Sequence, residues 1–146
     1  MARDRILIGV PYRQDIRVGR TTCYSCGEKN PPWGHVNSFD EARLETLFDG
    51  CRLETKSIVG VNASQTNALS TWLMDFAGNP YGTYEQEETC VACGQRLRLP
   101  PKRSTAQLIA TKLAFWARHA TDLVSKPRGN WIHVVLRKTG AAAQAG

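Results

Sequence analysis

Two short motifs of the same form constrain this chain more than any other feature: Cys23-Tyr-Ser-Cys26-Gly27 and Cys90-Val-Ala-Cys93-Gly94. In a Cys-x-x-Cys-Gly knuckle, one tight turn presents two sulfurs to a common point, and the glycine lets the backbone fold beneath them. Two such knuckles supply the four ligands of a tetrahedral zinc site, and four thiolates leave no open position for catalysis. A zinc held by Cys23, Cys26, Cys90 and Cys93 is therefore expected to be structural. The 63 residues between Cys26 and Cys90 are too many for a compact ribbon, so the site joins two loops distant in sequence. Disulfides, a redox dithiol, an iron–sulfur cluster or unrelated thiols are the competing readings. A redox function needs only one Cys-x-x-Cys, so a matched pair favours metal. His35 is a competing ligand, and Cys51 reads as a free thiol packed at the start of a strand.

At 146 residues the chain has the length of one domain. No apolar run approaches the roughly 20 residues of a membrane span. The run Ile6-Leu-Ile-Gly-Val10 is shorter than the core of a secretory signal. A reduced, cytoplasmic location is expected, with no membrane association. The formal charge is +6, unevenly spread: residues 40–94 carry three bases and nine acids, whereas residues 95–146 carry ten bases and one acid. Scattered bases of this kind usually form a solvated face. Arg96, Arg98, Lys102 and Arg103 are the best candidate for contact with nucleic-acid phosphates, although no aromatic residue interleaves them.

The local patterns predict alternating strands and helices. Ile6–Val10 suits a strand buried on both faces, and residues 11–37 read as a long loop. Ser38 and Glu41 form a capping box for a helix that presents Leu44, Leu47 and Phe48 and stops at Gly50. Residues 52–61 read as a strand with Leu53, Thr55, Ser57 and Val59 on one face. Residues 66–77 read as a short helix with Leu69, Trp72, Leu73 and Phe76 at helical spacing. A second capping box, Ser104 with Gln107, opens a helix carrying Ile109, Leu113, Trp116, Ala120 and Leu123, and Pro127 and Gly129 end it. Residues 131–136 form a third strand. Trp33, Trp72, Trp116 and Trp131 are expected to pack inside, His133 to be structural, and His119 to lie on the surface.

The segments Ile6-Leu-Ile-Gly-Val-Pro11, Gly34-His-Val-Asn-Ser-Phe39 and Leu47-Phe48-Asp-Gly50-Cys-Arg-Leu-Glu54 together resemble the C-terminal half of class I S-adenosylmethionine-dependent methyltransferases. In that resemblance Gly50-Cys51 takes the place of a Gly-aromatic step. Residues 131–138 look like the family's last strand, antiparallel between its two neighbours. The resemblance covers residues 5–61 and 130–138. It implies an α/β fold containing the last three strands of a Rossmann-like methyltransferase sheet. Residues 1–139 would then be a single domain with helical and zinc-knuckle insertions at 12–33 and 62–129, followed by a disordered tail at 140–146. It also implies that His35, at the rim where acceptors bind, is the candidate catalytic base, and that Tyr12 is a candidate substrate contact. The glycine-rich loop and acidic strand end that hold S-adenosylmethionine in the family have no counterpart here. Donor binding would thus need a missing N-terminal half or a second chain, and a homo-oligomer is a further expectation. A non-enzymatic zinc-ribbon module binding nucleic acid or protein through its basic C-terminal region is the competing function.

Overall fold

The computed structural model describes residues 4–62 and 65–139; the proposed tail at 140–146 lies outside them. The described residues are mixed α/β and form two compact units. Met1–Gln14, Ser38–Asn62 and Pro127–Gly146 contribute to one, Asp15–Asn37 and Ala63–Lys126 to the other. The second unit's segments, 15–37 and 63–126, overlap the ranges 12–33 and 62–129.

The first unit is a three-stranded sheet in the order β1 (Arg5–Pro11), β5 (Trp131–Lys138), β4 (Cys51–Val59). The central β5 runs antiparallel to both neighbours, with Ile8 opposite Val134 and Leu53 opposite Leu136. Every pairing in the sheet is antiparallel, so the sheet by itself is not Rossmann-like, in contrast to that part of the sequence expectation. Side chains alternate between faces. Ile132, Val134 and Leu136 are completely buried on one face, where Ile6, Ile8, Val10 and Leu53 meet them. The short helix α1 (Glu41–Glu45) closes this face with the fully buried Leu44. Among the described residues β1 is covered on one face only: Leu7 points outward and is 73% exposed.

A β-bulge separates Leu53 from Thr55. It inserts Glu54 and reverses the parity of the strand. Leu53 therefore faces the core, whereas Thr55, Ser57 and Val59 pair with the outward residues Val135, His133 and Trp131. The single face predicted for these four residues is split for this reason. Glu54 itself accepts from Arg5 and pairs with Arg137. The α1 cap also differs from expectation. Asp40, not Ser38, accepts from the Arg43 backbone N–H. The helix ends at Thr46, leaving Leu47 and Phe48 beyond it and half-exposed.

The second unit contains a two-stranded hairpin, β2 (Thr21–Thr22) with β3 (Lys29–Asn30), a 3₁₀ turn at Pro32–Gly34, and two helices, α2 (Ala68–Phe76) and α3 (Thr105–Val124). The segment read as loop is thus partly paired. Asn67 and Ser70 form a capping box for α2, and Ser104 and Gln107 form the predicted one for α3. The helices run antiparallel: Asn67 donates to the Ala117 carbonyl at 2.8 Å, and Gln107 donates to the Phe76 carbonyl at 3.3 Å. Small residues fill their seam, with Ser70, Ala110, Thr111 and Ala114 buried. The predicted apolar stripes point elsewhere, and all four tryptophans are substantially exposed rather than internal. Short side chains line the seam, and the bulky ones turn outward. No helix among the described residues is long and apolar enough to cross a membrane.

Candidate metal centre

The two knuckles are the same turn built twice, 67 positions apart from Cys23 to Cys90. In the first, Cys23 N–H donates to the Glu28 carbonyl at 2.8 Å and Gly27 N–H to the Cys23 carbonyl at 2.7 Å. In the second, Cys90 N–H donates to the Gln95 carbonyl and Gly94 N–H to the Cys90 carbonyl, both at 2.9 Å. Gly27 and Gly94 have φ of +83° and +68°, left-handed backbone that a side chain would strain. Each turn is flanked by an antiparallel pair, Thr22 with Lys29 in one and Thr89 with Arg96 in the other.

The turns bring all four Sγ atoms within 4.8 Å of one another. Cys23 Sγ lies 3.7 Å from Cys93 Sγ, and Cys26 Sγ lies 3.6 Å from Cys90 Sγ. Both contacts cross from one knuckle to the other. A tetrahedron with Zn–S bonds near 2.3 Å has sulfur–sulfur edges of about 3.8 Å, so the cluster has the dimensions of a four-thiolate metal site. All four thiols are free, with Cys23 and Cys90 buried and Cys26 and Cys93 on the outside.

Electrostatics separate the two pairs. Burial pushes the Cys90 thiol up, but backbone N–H groups of Cys93 and Ala92 and the Asn30 amide outweigh it and bring the thiol down to about 6. Cys23 is lowered in the same way: burial opposes, and the Ser25 and Cys26 N–H groups prevail. The Glu28 N–H lowers Cys26, but the Cys93 sulfur, burial and the other two sulfurs outweigh it; the Gln95 N–H and the Cys26 sulfur lower Cys93, but burial and the Cys23 and Cys90 sulfurs hold it above the ordinary thiol value. Four thiols this close cannot all ionise against one another. A divalent cation removes that repulsion and stabilises the four thiolates together. The donor set therefore fits a structural metal.

Asn30, buried and between the knuckles, locks them to each other. Its Nδ2 donates toward Cys90 Sγ at 3.6 Å and to the Glu28 carbonyl at 3.3 Å, while its Oδ1 accepts from Val91 N–H at 2.8 Å. Its role was not apparent from sequence, because no periodicity or motif marks a buried asparagine that contacts a loop 60 residues away. Leu97 and Tyr84 pack beneath the buried sulfurs. The Tyr84 hydroxyl accepts from Thr22 N–H at 3.1 Å and donates to the Gly78 carbonyl at 3.0 Å.

The other candidate residues lie outside this cluster. The Tyr12 hydroxyl donates to Glu41 at 2.8 Å within the sheet unit, at the start of α1. His35, in the other unit, follows the 3₁₀ turn, and its ring centroid lies 6.0 Å from that of Trp33. It is not among the clustered metal ligands. Arg103 donates to Thr111 Oγ1 at 3.0 Å, and Arg96 lines a shallow concavity together with Glu85 and Glu87. Arg98 and Lys102 are exposed. Cys51 is half-buried against the sheet core. No protein-family model, curated protein or solved structure matches this chain, so the reading of the centre rests on its own residues and their geometry.

Proposed function

We propose that Cys23, Cys26, Cys90 and Cys93 bind one structural zinc that ties the 21–30 and 89–97 turns into a single scaffold. The observation that carries this reading is the pair of inter-knuckle sulfur contacts at 3.6 and 3.7 Å, built by two congruent turns. Complete sulfur ligation assigns the metal to folding rather than to chemistry. Elemental analysis of protein purified without added metal should find one zinc per chain, and a Cys23→Ser/Cys90→Ser variant should find none. Metal-free wild-type protein with an intact 21–30 hairpin would refute the assignment.

A second reading concerns the sheet unit. We infer that it is the acceptor-side portion of an S-adenosylmethionine-dependent methyltransferase whose donor-binding elements are supplied by another segment or chain. It is supported by the order β1–β5–β4 with β5 antiparallel to both neighbours, the arrangement the resemblance implies for the three last strands. Tyr12 is a proposed acceptor contact in that reading, whereas His35, the candidate base, lies in the other unit. A charged amino-acid head and two ribose hydroxyls need fixed partners, and a half-paired polar ligand loses most of its binding energy to desolvation. Residues 1–146 alone should therefore give no micromolar heat of binding with S-adenosylmethionine. The coding sequence upstream of Met1 should encode a glycine-rich strand–loop–helix, whose product joined to this chain binds the donor. Micromolar binding by residues 1–146 would refute the proposed division, and an extended or paired product that binds no donor would refute the reading. The competing nucleic-acid reading is weakened by the placement of Arg96 beside Glu85 and Glu87 and of Arg103 against Thr111.

A further inference from the structure

Strand register places three arginines in one rung of the sheet. Arg5 on β1 lies opposite Arg137 on β5, and Arg137 lies opposite Arg52 on β4. All three share the outward parity of Leu7 and Val135, away from the core. Like charges directly opposite one another destabilise a sheet. Glu54, the bulged residue, offsets part of this. It pairs with Arg5 at 2.6 Å and with Arg137 at 2.9 Å, and Arg52 acts on it through space. Asp4, just before β1, also attracts Arg5. Three guanidinium groups thus meet two carboxylates, which leaves positive charge in excess at one end of an open sheet face.

The same face carries two rings further along β5. His133 and Trp131 have the parity of Arg137 and lie roughly 14 and 20 Å from it at about 3.4 Å per residue. His133 is exposed, and Trp131 is 42% exposed. Gly9 lies opposite His133, and a methyl group there would come within 2.8 Å of His133 Cδ2. The imidazole therefore rests against the β1 backbone, in space that only glycine leaves open. On β4, Thr55 and Ser57 set hydroxyl groups on this face beside Val135 and His133. Apart from Glu54, no residue of the face is acidic.

We propose that this outer sheet face binds single-stranded nucleic acid, with phosphates on the Arg5–Arg137–Arg52 rung and bases over His133 and Trp131. Charge complementarity selects a polyanion: the rung gathers guanidinium groups, and a phosphate supplies the negative charge that Glu54 and Asp4 leave short. The two rings select flat, unpaired bases, because stacking on aromatic side chains requires an open strand and accepts any base. The span from Arg137 to Trp131 holds about four nucleotides, the lower end of what one small sheet domain binds. A docked amphipathic helix is the weaker match. It needs a continuous apolar groove, and the rung of Gly9, His133 and Ser57 separates Leu7 and Val135 from Trp131 and Val59. The face belongs to the sheet unit, whereas the bases of residues 96–103 belong to the other.

Fluorescence anisotropy of labelled octauridylate and octathymidylate, titrated with the full chain at several salt concentrations, tests the proposal. At least one of the two should bind, the tighter one assigning RNA or DNA. Affinity should fall with salt at a log–log slope of about −0.7 for each phosphate neutralised. Arg52→Gln, at an exposed position of an edge strand, should weaken binding several-fold and make the slope shallower by about 0.7. Trp131→Ala should weaken it by about 10-fold or more, and Trp131→Phe should restore most of the loss. Gly9→Ala, which displaces the His133 ring, should weaken binding with the slope unchanged. Arg96→Gln/Arg98→Gln, in the other unit, should leave binding as it is. The proposal is overturned if neither oligonucleotide binds up to about 100 μM protein at low salt. It is also overturned if only the Arg96→Gln/Arg98→Gln variant loses binding, or if an oligoglutamate of equal charge competes as well as the oligonucleotide. Zinc content of the same samples reports on the metal centre alone, so failure of one proposal is distinguishable from failure of the other.

Discussion

The two units solve the problem of a small core in opposite ways. The sheet unit buries branched aliphatic side chains, with Leu44, Ile132, Val134 and Leu136 fully removed from water. The helix-and-knuckle unit buries Thr21, Thr22, Asn30, Ser70, Asn79 and Thr111, and leaves Leu69, Trp72, Trp116 and Leu123 outside. A unit whose interior is this polar gains little from the hydrophobic effect and depends on satisfied hydrogen bonds and on the metal. Its order should therefore be conditional on composition of the medium, whereas that of the sheet should not.

The sharpest way to break the comparison is to remove the metal. Structural zinc contributes on the order of 10 kcal/mol in small peptides. Chelation, or Cys23→Ser with Cys90→Ser, should abolish hydrogen-exchange protection across 21–30 and 89–97 and leave 131–138 protected. Equal loss in both units would show that the two are not separable. The converse perturbation is Ile132→Ala, a fully buried residue of β5. It should cost about 3 kcal/mol in chemical denaturation, with zinc content unchanged. A smaller effect is expected from Asn30→Ala. It leaves Val91 N–H without its acceptor and removes the amide from Cys90. Stability should fall by about 1–3 kcal/mol, and a chromogenic chelator should extract zinc faster than from wild type.

The smallest effect is the most diagnostic of the polar unit. The Asp15 carboxylate is opposed by burial, but bonds from Arg17 and from the side chain and N–H of Thr66 outweigh it and hold its pKa well below the usual carboxylate range. A depressed folded pKa means that the ionised form supports folding. This contribution is fully present above the unfolded value near 4 and is lost as pH falls toward the folded value. Asp15→Asn should cost about 1 kcal/mol at pH 7. The gap from wild type in paired urea titrations should narrow as pH drops below about 4. A gap independent of pH would mean that the carboxylate charge contributes nothing.

Features that depend on local chemistry were legible in the sequence. The Ser104–Gln107 box opens α3, and both Cys-x-x-Cys-Gly turns close as their spacing requires. The placement of β5 antiparallel between β1 and β4 agrees with the expectation drawn from the resemblance. What escaped the sequence depends on partners. Periodicity places Trp72 and Trp116 on a face but says nothing of what covers that face. Asp40 displaced Ser38 as the α1 cap because both side chains can accept from a first-turn N–H, and only the incoming chain direction selects between them. The hydrophobic run at Ile6–Val10 suggested two covered faces, yet one is open among the described residues, as the exposure of Leu7 records.

The bulge at Glu54 also determines where the chain can change length. Without Glu54, Leu53 and Thr55 would become consecutive rungs opposite Leu136 and Val135, and every pair from there to Val59 and Trp131 would remain as it is. The loss would fall on the Arg5 and Arg137 counterion and on local twist. Removing Lys56, Ser57 or Ile58 instead would slip the remaining rungs by one and turn each following side chain to the opposite face. Within β4, then, a one-residue deletion is neutral to the core at one position and disruptive at its neighbours. A length difference among related chains should accumulate at Glu54 before it appears elsewhere in the sheet.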